Sequence, residues 1–206
     1  MYIPKSQVMN DREEILSFIR RFSFGSIITN SNGIPTATHL PFVIKETASD
    51  IVLESHFAKS NLHWRQIEKS INLIIFQAPH AYISPKHYEN RLNVPTWNYI
   101  AVHLYGTGKI IVNKDEKLEI LHATIQCFDA EYLSHWSSLP EKYRDNMLNG
   151  IVAFRITIND IQARKKASQN KSREERMEII RSLEVSPNEH ERLMSEFMNR
   201  EEKSDG

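Results

Sequence analysis

Residues 150–158, GIVAFRITI, decide the class of fold. Val152, Phe154, Ile156 and Ile158 fall on one side of an extended chain, and Arg155 and Thr157 on the other. That is the period of two that a strand with one buried face requires. Working back from it, more strand-like runs appear. NYIAVHLYGTGKIIV (98–112) carries Gly106 and Gly108 two apart, which predicts a bulge or a sharp bend such as a barrel corner. INLIIFQ (71–77) is a continuous apolar run, suited to a strand buried on both faces. AYISP (81–85) and DIVLESHF (50–57) add strands. SFGSIIT (23–29) and IPTATHLPFVI (34–44) read as a hairpin around the turn Asn30-Ser31-Asn32-Gly33. Pro35 and Pro41 place the second run at a sheet edge rather than its centre.

Helical patterns flank these strands. Asn10, with Glu13 three residues on, has capping-box spacing ahead of Ile15, Ile19 and Phe22. NLHWRQIEKS (61–70) reads as a short helix. Asn113 or Asp115 caps a helix whose apolar stripe is Leu118, Leu121, Ile125 and Phe128. EYLSHWSSLPEKYRDNMLNG (131–150) is irregular to helical. Two helices follow, around Glu174–Leu183 and Asn188–Met198, with Pro187 between them and EEKSDG as a frayed tail. Strands dominate without regular βα alternation, so the expected fold is mainly β (α+β), a small antiparallel barrel with peripheral helices.

The chain has 206 residues, 40% apolar and 25% charged, the composition of a globular domain of ordinary size. Lys+Arg and Asp+Glu are 26 each, so the formal charge is zero and a chain coated in positive charge for nucleic acid is excluded. The balance is uneven, however. Residues 162–176, QARKKASQNKSREER, hold six basic residues and two acidic ones. Arg164, Lys165, Lys166, Lys171 and Arg173 offer charges to DNA phosphates, against which stand a solvated face or a phosphate site for a cofactor, the reading preferred here. Cys127 is the only cysteine and lies on an apparent amphipathic helix near its buried stripe, which excludes a disulfide framework. No apolar run is long enough to span a bilayer or serve as a signal peptide, so the expected compartment is the cytoplasm and no membrane partner is expected.

Three segments concentrate polar and aromatic side chains. SHFAKSNLHWR (55–65) sets Lys59, Ser60, Asn61 and Arg65 at a strand-to-helix junction, where free N–H groups suit a phosphate; an ordinary cap with solvated charges is the alternative. QAPHAYISPKHY (77–88) with NVPTWNYIAVH (93–103) supplies rings and amides of the kind that cover and read a flat heteroaromatic ligand, although Tyr82, Trp97 and Tyr99 also suit a core. KASQNKS (166–172) is a turn or a set of ligand donors. Nine histidines include no HExxH pattern or compact ligand cluster, and there is no GxSxG, GxGxxG or P-loop pattern, so no residue is identified as catalytic and no metal is expected.

These words, with MYIPK (1–5), FGSIIT (24–29), PTATHLPF (35–42), HFAKSNLHW (56–64), VPTWNYIAVHLYG (94–106) and ASQNKS (167–172), run in order over about residues 1 to 172. The chain resembles the PaiB-type family within the flavin-binding split-barrel superfamily that includes pyridoxamine-phosphate oxidase. The resemblance implies a six-stranded antiparallel split β-barrel over 1–160 and a basic, helical C-terminal extension over 161–206. It implies a homodimer with FMN at the subunit interface. It also implies a negative regulator of sporulation and degradative-enzyme (protease) production, better described as a repressor of transcription than as an enzyme, with DNA as a candidate partner. An FMN-dependent oxidoreductase and a haem-binding split barrel are the alternatives.

By position, the resemblance puts Lys59 at the cofactor phosphate with His56, Phe57, Asn61 and Trp64 around it. Gln77, His80, Ala81, Tyr82 and Ile83 fall at the ring or ribityl chain. Thr96, Trp97 and Asn98 form a loop reaching the partner's site, and Ser168, Gln169 and Asn170 form a further contact. Ala78 and Leu62 stand where the family more often has Gly and Pro.

Overall fold

The computed structural model describes residues 1–47, 50–89 and 92–204. Among them are seven strands: β1 (Phe24–Ser31), β2 (Ile34–Pro41), β3 (Val43–Glu46), β4 (Ile51–Ala58), β5 (Ile71–Ile83), β6 (Thr96–Ile110) and β7 (Ile151–Lys166). The helices are α1 (Arg12–Arg21), α2 (Lys114–Phe128), α3 (Tyr132–Ser138), α4 (Glu141–Asn149), α5 (Arg173–Glu184) and α6 (Glu189–Ser204). The strands form one sheet in the order β2-β1-β5-β6-β7-β4-β3. Contacts divide the chain into two compact units, residues 1–15, 77–102 and 162–206 in the first and 16–76 and 103–161 in the second.

The second unit holds the hairpin and the β4–β7 ladder. Asn32 and Gly33 take φ of 54° and 80°, the left-handed pair that a two-residue hairpin demands. β1 and β2 pair antiparallel from Phe24↔Pro41 to Ser31↔Ile34. β4 pairs antiparallel with β7 from Val52↔Thr157 to Ala58↔Ile151. Ile27, Leu53, Phe57, Phe154 and Ile156 on these strands, with Phe76 of β5, are wholly buried. Phe57 stacks on Phe154 with ring centres 4.8 Å apart. α2 covers the other side of β7, where Ile111, Ile120 and Ala153 form a small cluster. Arg155 ties this layer together, its guanidinium 2.9 Å from Glu54 on β4 and 2.7 Å from Glu116 on α2. Gly106 and Gly108 are sites of close approach: a Cβ would stand 2.4 Å from the Thr157 carbonyl and 2.5 Å from that of Ile67.

The expected six-stranded split barrel is corrected to seven strands in a sheet that no ladder closes among the described residues. The reason lies at Phe42. The run 34–44 does not continue as one strand, because Pro41 has no N–H to donate and the Phe42 N–H goes to the Ser23 carbonyl at 2.9 Å. Ser55 donates to the Pro41 carbonyl at 2.6 Å. The run therefore becomes β2 and β3, at opposite edges of the sheet and joined by one residue. Two peptide steps reach at most roughly 7 Å, so the sheet must curl to bring its edges together. Phe42 is 1% exposed, with its ring edge-on to Phe76 and Phe154.

Other expectations are corrected locally. INLIIFQ and AYISP are one strand, β5, whose second face is only half-buried at Leu73 and Ile75. Asp11, not Asn10, caps α1: the Glu14 N–H donates to its carboxylate at 2.7 Å. Asn113 caps α2 by accepting from Asp115 and Glu116. The residue α2 buries is Ile120 rather than the expected stripe, and Phe128 and Cys127 are exposed. β7 runs on to Lys166, which takes the first residues of the basic segment into the sheet. α6 extends into the expected tail, and Asp205 and Gly206 lie outside the described residues.

The first unit joins the far ends of β5, β6 and β7 to α5 and α6. Ile179, Ile180, Leu183, Met194 and Met198 are buried there. Ser172 caps α5 by accepting from the Glu175 N–H. Arg176 pairs with Glu202 at 2.7 Å across the two helices. No helix among the described residues is long and apolar enough to cross a membrane.

Because Phe42 both breaks the strand and fills the core, Phe42→Ala is expected to cost about 3–5 kcal/mol in urea unfolding. A loss below about 1 kcal/mol would show that the bend does not depend on the ring.

Candidate functional site

The first unit presents two concavities on opposite faces of β6. Successive residues on a strand point to opposite sides. Trp97 and Tyr99 therefore face one way, and Thr96 and Asn98 the other.

Trp97 and Tyr99 join Gln77 and His80 of β5 around an open hollow of about 280 Å³. Tyr82 stands two residues beyond His80 on the same face of β5, edge-on to Trp97 with ring centres 5.9 Å apart. Trp97 is 53% exposed and Tyr82 46%, so neither ring is spent on a core. His80 lies 5.9 Å from the Trp97 ring and stacks on His190 of α6 at 4.3 Å. Burial, and secondarily the His190 ring, hold the His80 pKa below its ordinary value. Arg164 lies over Tyr99 at 5.0 Å and donates to Gln7. The alternate residues Ala81 and Ile83 are fully buried and pack the interior.

The other face opens on a cleft of about 270 Å³ lined by Thr96, Asn98, Lys166, Ser168, Asn170 and Lys171, with Gln7, Tyr88, Asn93 and Val94 at its margin. Asn98 is wholly buried and exchanges hydrogen bonds with the Ser168 hydroxyl at 3.0 and 3.2 Å. Ser168 sits in the left-handed region, φ 58°. Gln169 closes the turn, accepting from the Ala167 N–H at 2.9 Å and donating to the Lys165 carbonyl. The Lys166 ammonium donates to Thr96 Oγ1. Burial, and secondarily Arg164, hold the Lys166 pKa below its ordinary value. The Lys171 ammonium donates to Asn93 Oδ1 at 2.8 Å and lies 3.8 Å from the centre of the Tyr88 ring.

The segment 55–65 lies in the second unit. The expected helix there is a four-residue 3-10 turn, Leu62–Arg65, too short to present a helix N-terminus to a phosphate. Asn61 caps it, accepting from the His63 N–H at 3.1 Å and donating to Thr38 at 3.1 Å, so both ends of its amide are engaged. Trp64 donates to the Lys59 carbonyl. Lys59 itself is exposed. Phe57 is wholly buried. His56 is held neutral by burial, and its Nδ1 has no hydrogen-bond partner among the described residues.

His63, which sequence reasoning passed over, is buried at the centre of this segment. Thr29 donates its hydroxyl to Gln66 at 2.7 Å, so toward His63 Nε2, 2.9 Å away, it must accept. Nδ1 then accepts from Thr38 at 2.8 Å. This network fits a neutral ring, and burial pushes the His63 pKa down accordingly.

Apart from Ala81 and Ile83 in the interior and Gln169 on the turn's own backbone, the predicted residues fall into three sets. Gln77, His80, Tyr82 and Trp97 share the aromatic hollow, and Thr96, Asn98, Ser168 and Asn170 share the cleft. His56, Phe57, Lys59, Asn61 and Trp64 belong to the second unit. Lys166 and Lys171 join the cleft from the basic stretch, and the sequence signal for them is their place near either end of KASQNKS, flanking the turn.

Comparison with known proteins gives three findings. Residues 1–160 match the family described as "Putative FMN-binding domain". The chain is 39% identical over 201 residues to protease synthase and sporulation protein PAI 2 of Bacillus subtilis, covering 96% of each chain. Two solved structures share the fold at low identity. The flavocytochrome Anf3 of Azotobacter vinelandii has a TM-score of 0.63 at 13% identity, over 80% of this chain and 72% of that one. An FAD and heme binding protein of Mycobacterium smegmatis has a TM-score of 0.61 at 15% identity, over 83% and 78%.

The buried His63 and four half-buried histidines set a pH dependence. His56, His63, His80, His87 and His103 all have pKa values lowered by burial from 6.5. The unfolded chain therefore binds more protons just below that value. Their contribution to stability is complete above 6.5 and is lost as the pH falls through the folded-state values. The melting temperature is expected to fall on acidification from neutrality, with a shallower slope in His63→Gln. An unchanged slope in that variant would remove His63 from the account.

Proposed function

Since the chain belongs to the PaiB-type family of FMN-binding split-barrel proteins, we propose that it is a cytoplasmic negative regulator of protease production and sporulation that carries a flavin-type ligand. The observation that carries this reading is the 39% identity, over nearly the whole of both chains, to a protein named for protease synthesis and sporulation.

The residues of the aromatic hollow suit FMN. A flavin ring needs flat apolar cover and a few donors and acceptors at its edge. Trp97 and Tyr82 supply exposed ring faces, and Gln77 an exposed amide. When bound, FMN supplies a redox-active ring, and so a means of sensing. The chain's own residues would cover one face of the ring, while His80, its pKa lowered by burial, would offer one acceptor and one donor. The resemblance also brings forward Lys59 and its neighbours in the second unit, where Asn61 has committed its amide to His63 and Thr38 and Lys59 is exposed.

A second copy of the chain completes this reading. Trp97 and Tyr82 leave about half their surface uncovered. A homodimer that closes over the hollow would bury them with the ligand. DNA remains a proposed partner, although most cations of 162–176 are held within the chain: Arg164 by Gln7, Lys165 by Glu14, and Arg173 and Arg176 by Glu202.

An extra copy of the gene in a spore-forming Bacillus host is expected to lower extracellular protease activity and the count of heat-resistant spores. Unchanged output while the protein accumulates would overturn the assignment.

A further inference from the structure

We propose that the cleft between Thr96 and Lys171 is an anion site for a small phosphate monoester, separate from the aromatic hollow on the opposite face of β6. The argument begins with charge. Lys166 and Lys171 both line the cleft, and among the described residues neither ammonium meets a carboxylate. Their neighbours in sequence behave otherwise: Lys165 pairs with Glu14 at 2.5 Å, and Arg173 and Arg176 with Glu202. Two half-buried cations held only by neutral oxygens cost desolvation free energy that an anion between them would offset.

The lining is chemically consistent. Thr96, Asn170, Gln7 and Asn93 carry hydroxyls and amides that can donate to an oxyanion, while Asn98 and Ser168 spend their donors on each other and hold the turn. The lysines hold a fixed aim. Thr96 positions Lys166, while Asn93 and the Tyr88 ring position Lys171. Each ammonium has three N–H donors and uses one here on a protein oxygen, so donors remain for a ligand.

The backbone makes the same case. Ser168 adopts φ 58°, a conformation that costs a non-glycine residue free energy. It is held there by the buried Asn98 and by the Gln169 side chain, which spends itself on the turn's own backbone. The turn so held carries Lys166 and Lys171 at its two ends, and both line one space. The space, about 270 Å³, falls just short of the roughly 300–1,000 Å³ of pockets for drug-sized ligands, so it suits a phosphate on a small carbon frame.

The phosphate could be carried by a separate metabolite or by a flavin mononucleotide reaching into the cleft; the chemistry recognised is the same. The proposal leaves the flavin reading intact if it fails, because riboflavin, which has no phosphate, reports on the hollow alone.

The test uses the whole chain and calorimetric titration with inorganic phosphate, against sodium chloride at matched ionic strength. FMN and riboflavin are titrated in parallel. Phosphate is expected to bind saturably, about tenfold or more weakly in Lys166→Ala and in Lys171→Ala, with riboflavin affinity unchanged. Loss of FMN affinity in the same variants with riboflavin intact would identify the flavin's own phosphate as the occupant. Unchanged FMN affinity would identify a separate phosphate ester. Absence of saturable phosphate binding by the wild-type chain, or binding that survives in the double variant, would overturn the site. The wild-type titration decides this even if a variant fails to fold, and Asn170→Ala, at an exposed position, provides a third variant of the lining.

Discussion

The alternation of side chains along β6 is the constraint on which the rest depends. A strand sends successive residues to opposite sides. Thr96, Trp97, Asn98 and Tyr99 therefore serve two different surfaces from four consecutive positions. Asn98 can be wholly buried against Ser168 while Trp97, its neighbour, stands half exposed. A shift of one residue in register would exchange the two, burying an indole in a polar turn and presenting an amide to the aromatic hollow. The register of β6 thus fixes the character of both concavities at once, before any ligand is considered.

Much of the fold was legible because it follows from local pattern. GIVAFRITI alternates, Asn32-Gly33 can take the left-handed pair a tight hairpin needs, and Asn113 sits where an N-cap belongs. What was not legible depends on partners distant in sequence. Nothing within IPTATHLPFVI says that it breaks at Phe42, because the break is made by Ser23 and Ser55, the one accepting the Phe42 N–H and the other donating to Pro41. Nothing within INLIIFQ says that it continues through Pro79 into AYISP as one strand. Burial on α2 was misassigned for a similar reason: Ile120 faces Ile111 and Ala153, and only the position of β7 selects it over the stripe of Leu118, Leu121 and Ile125.

The site was legible in its types and less so in its grouping. The aromatic and amide words pointed to a flat ligand, and Gln77, His80, Tyr82 and Trp97 do share one face. The basic stretch pointed to phosphates, yet its summed charge misled. Most of those cations are satisfied inside the fold, and only their individual partners separate Lys166 and Lys171 from the rest. His63 illustrates the reverse case. A lone histidine in a short polar word carries no signal in sequence, and its role in joining Thr29 and Thr38 comes entirely from strands 25 and 34 residues away.

The central claim is that the hollow around Trp97 receives a flavin. Titration of the purified chain with FMN, followed by the visible absorbance of the bound ring, tests it most directly. The account predicts saturable binding with a perturbed flavin spectrum, weakened by about tenfold in Trp97→Ala, since stacking on an exposed ring is worth about 0.5–1.5 kcal/mol beyond the area it buries. A flavin spectrum that never departs from that of free FMN, or an affinity indifferent to Trp97, would contradict it.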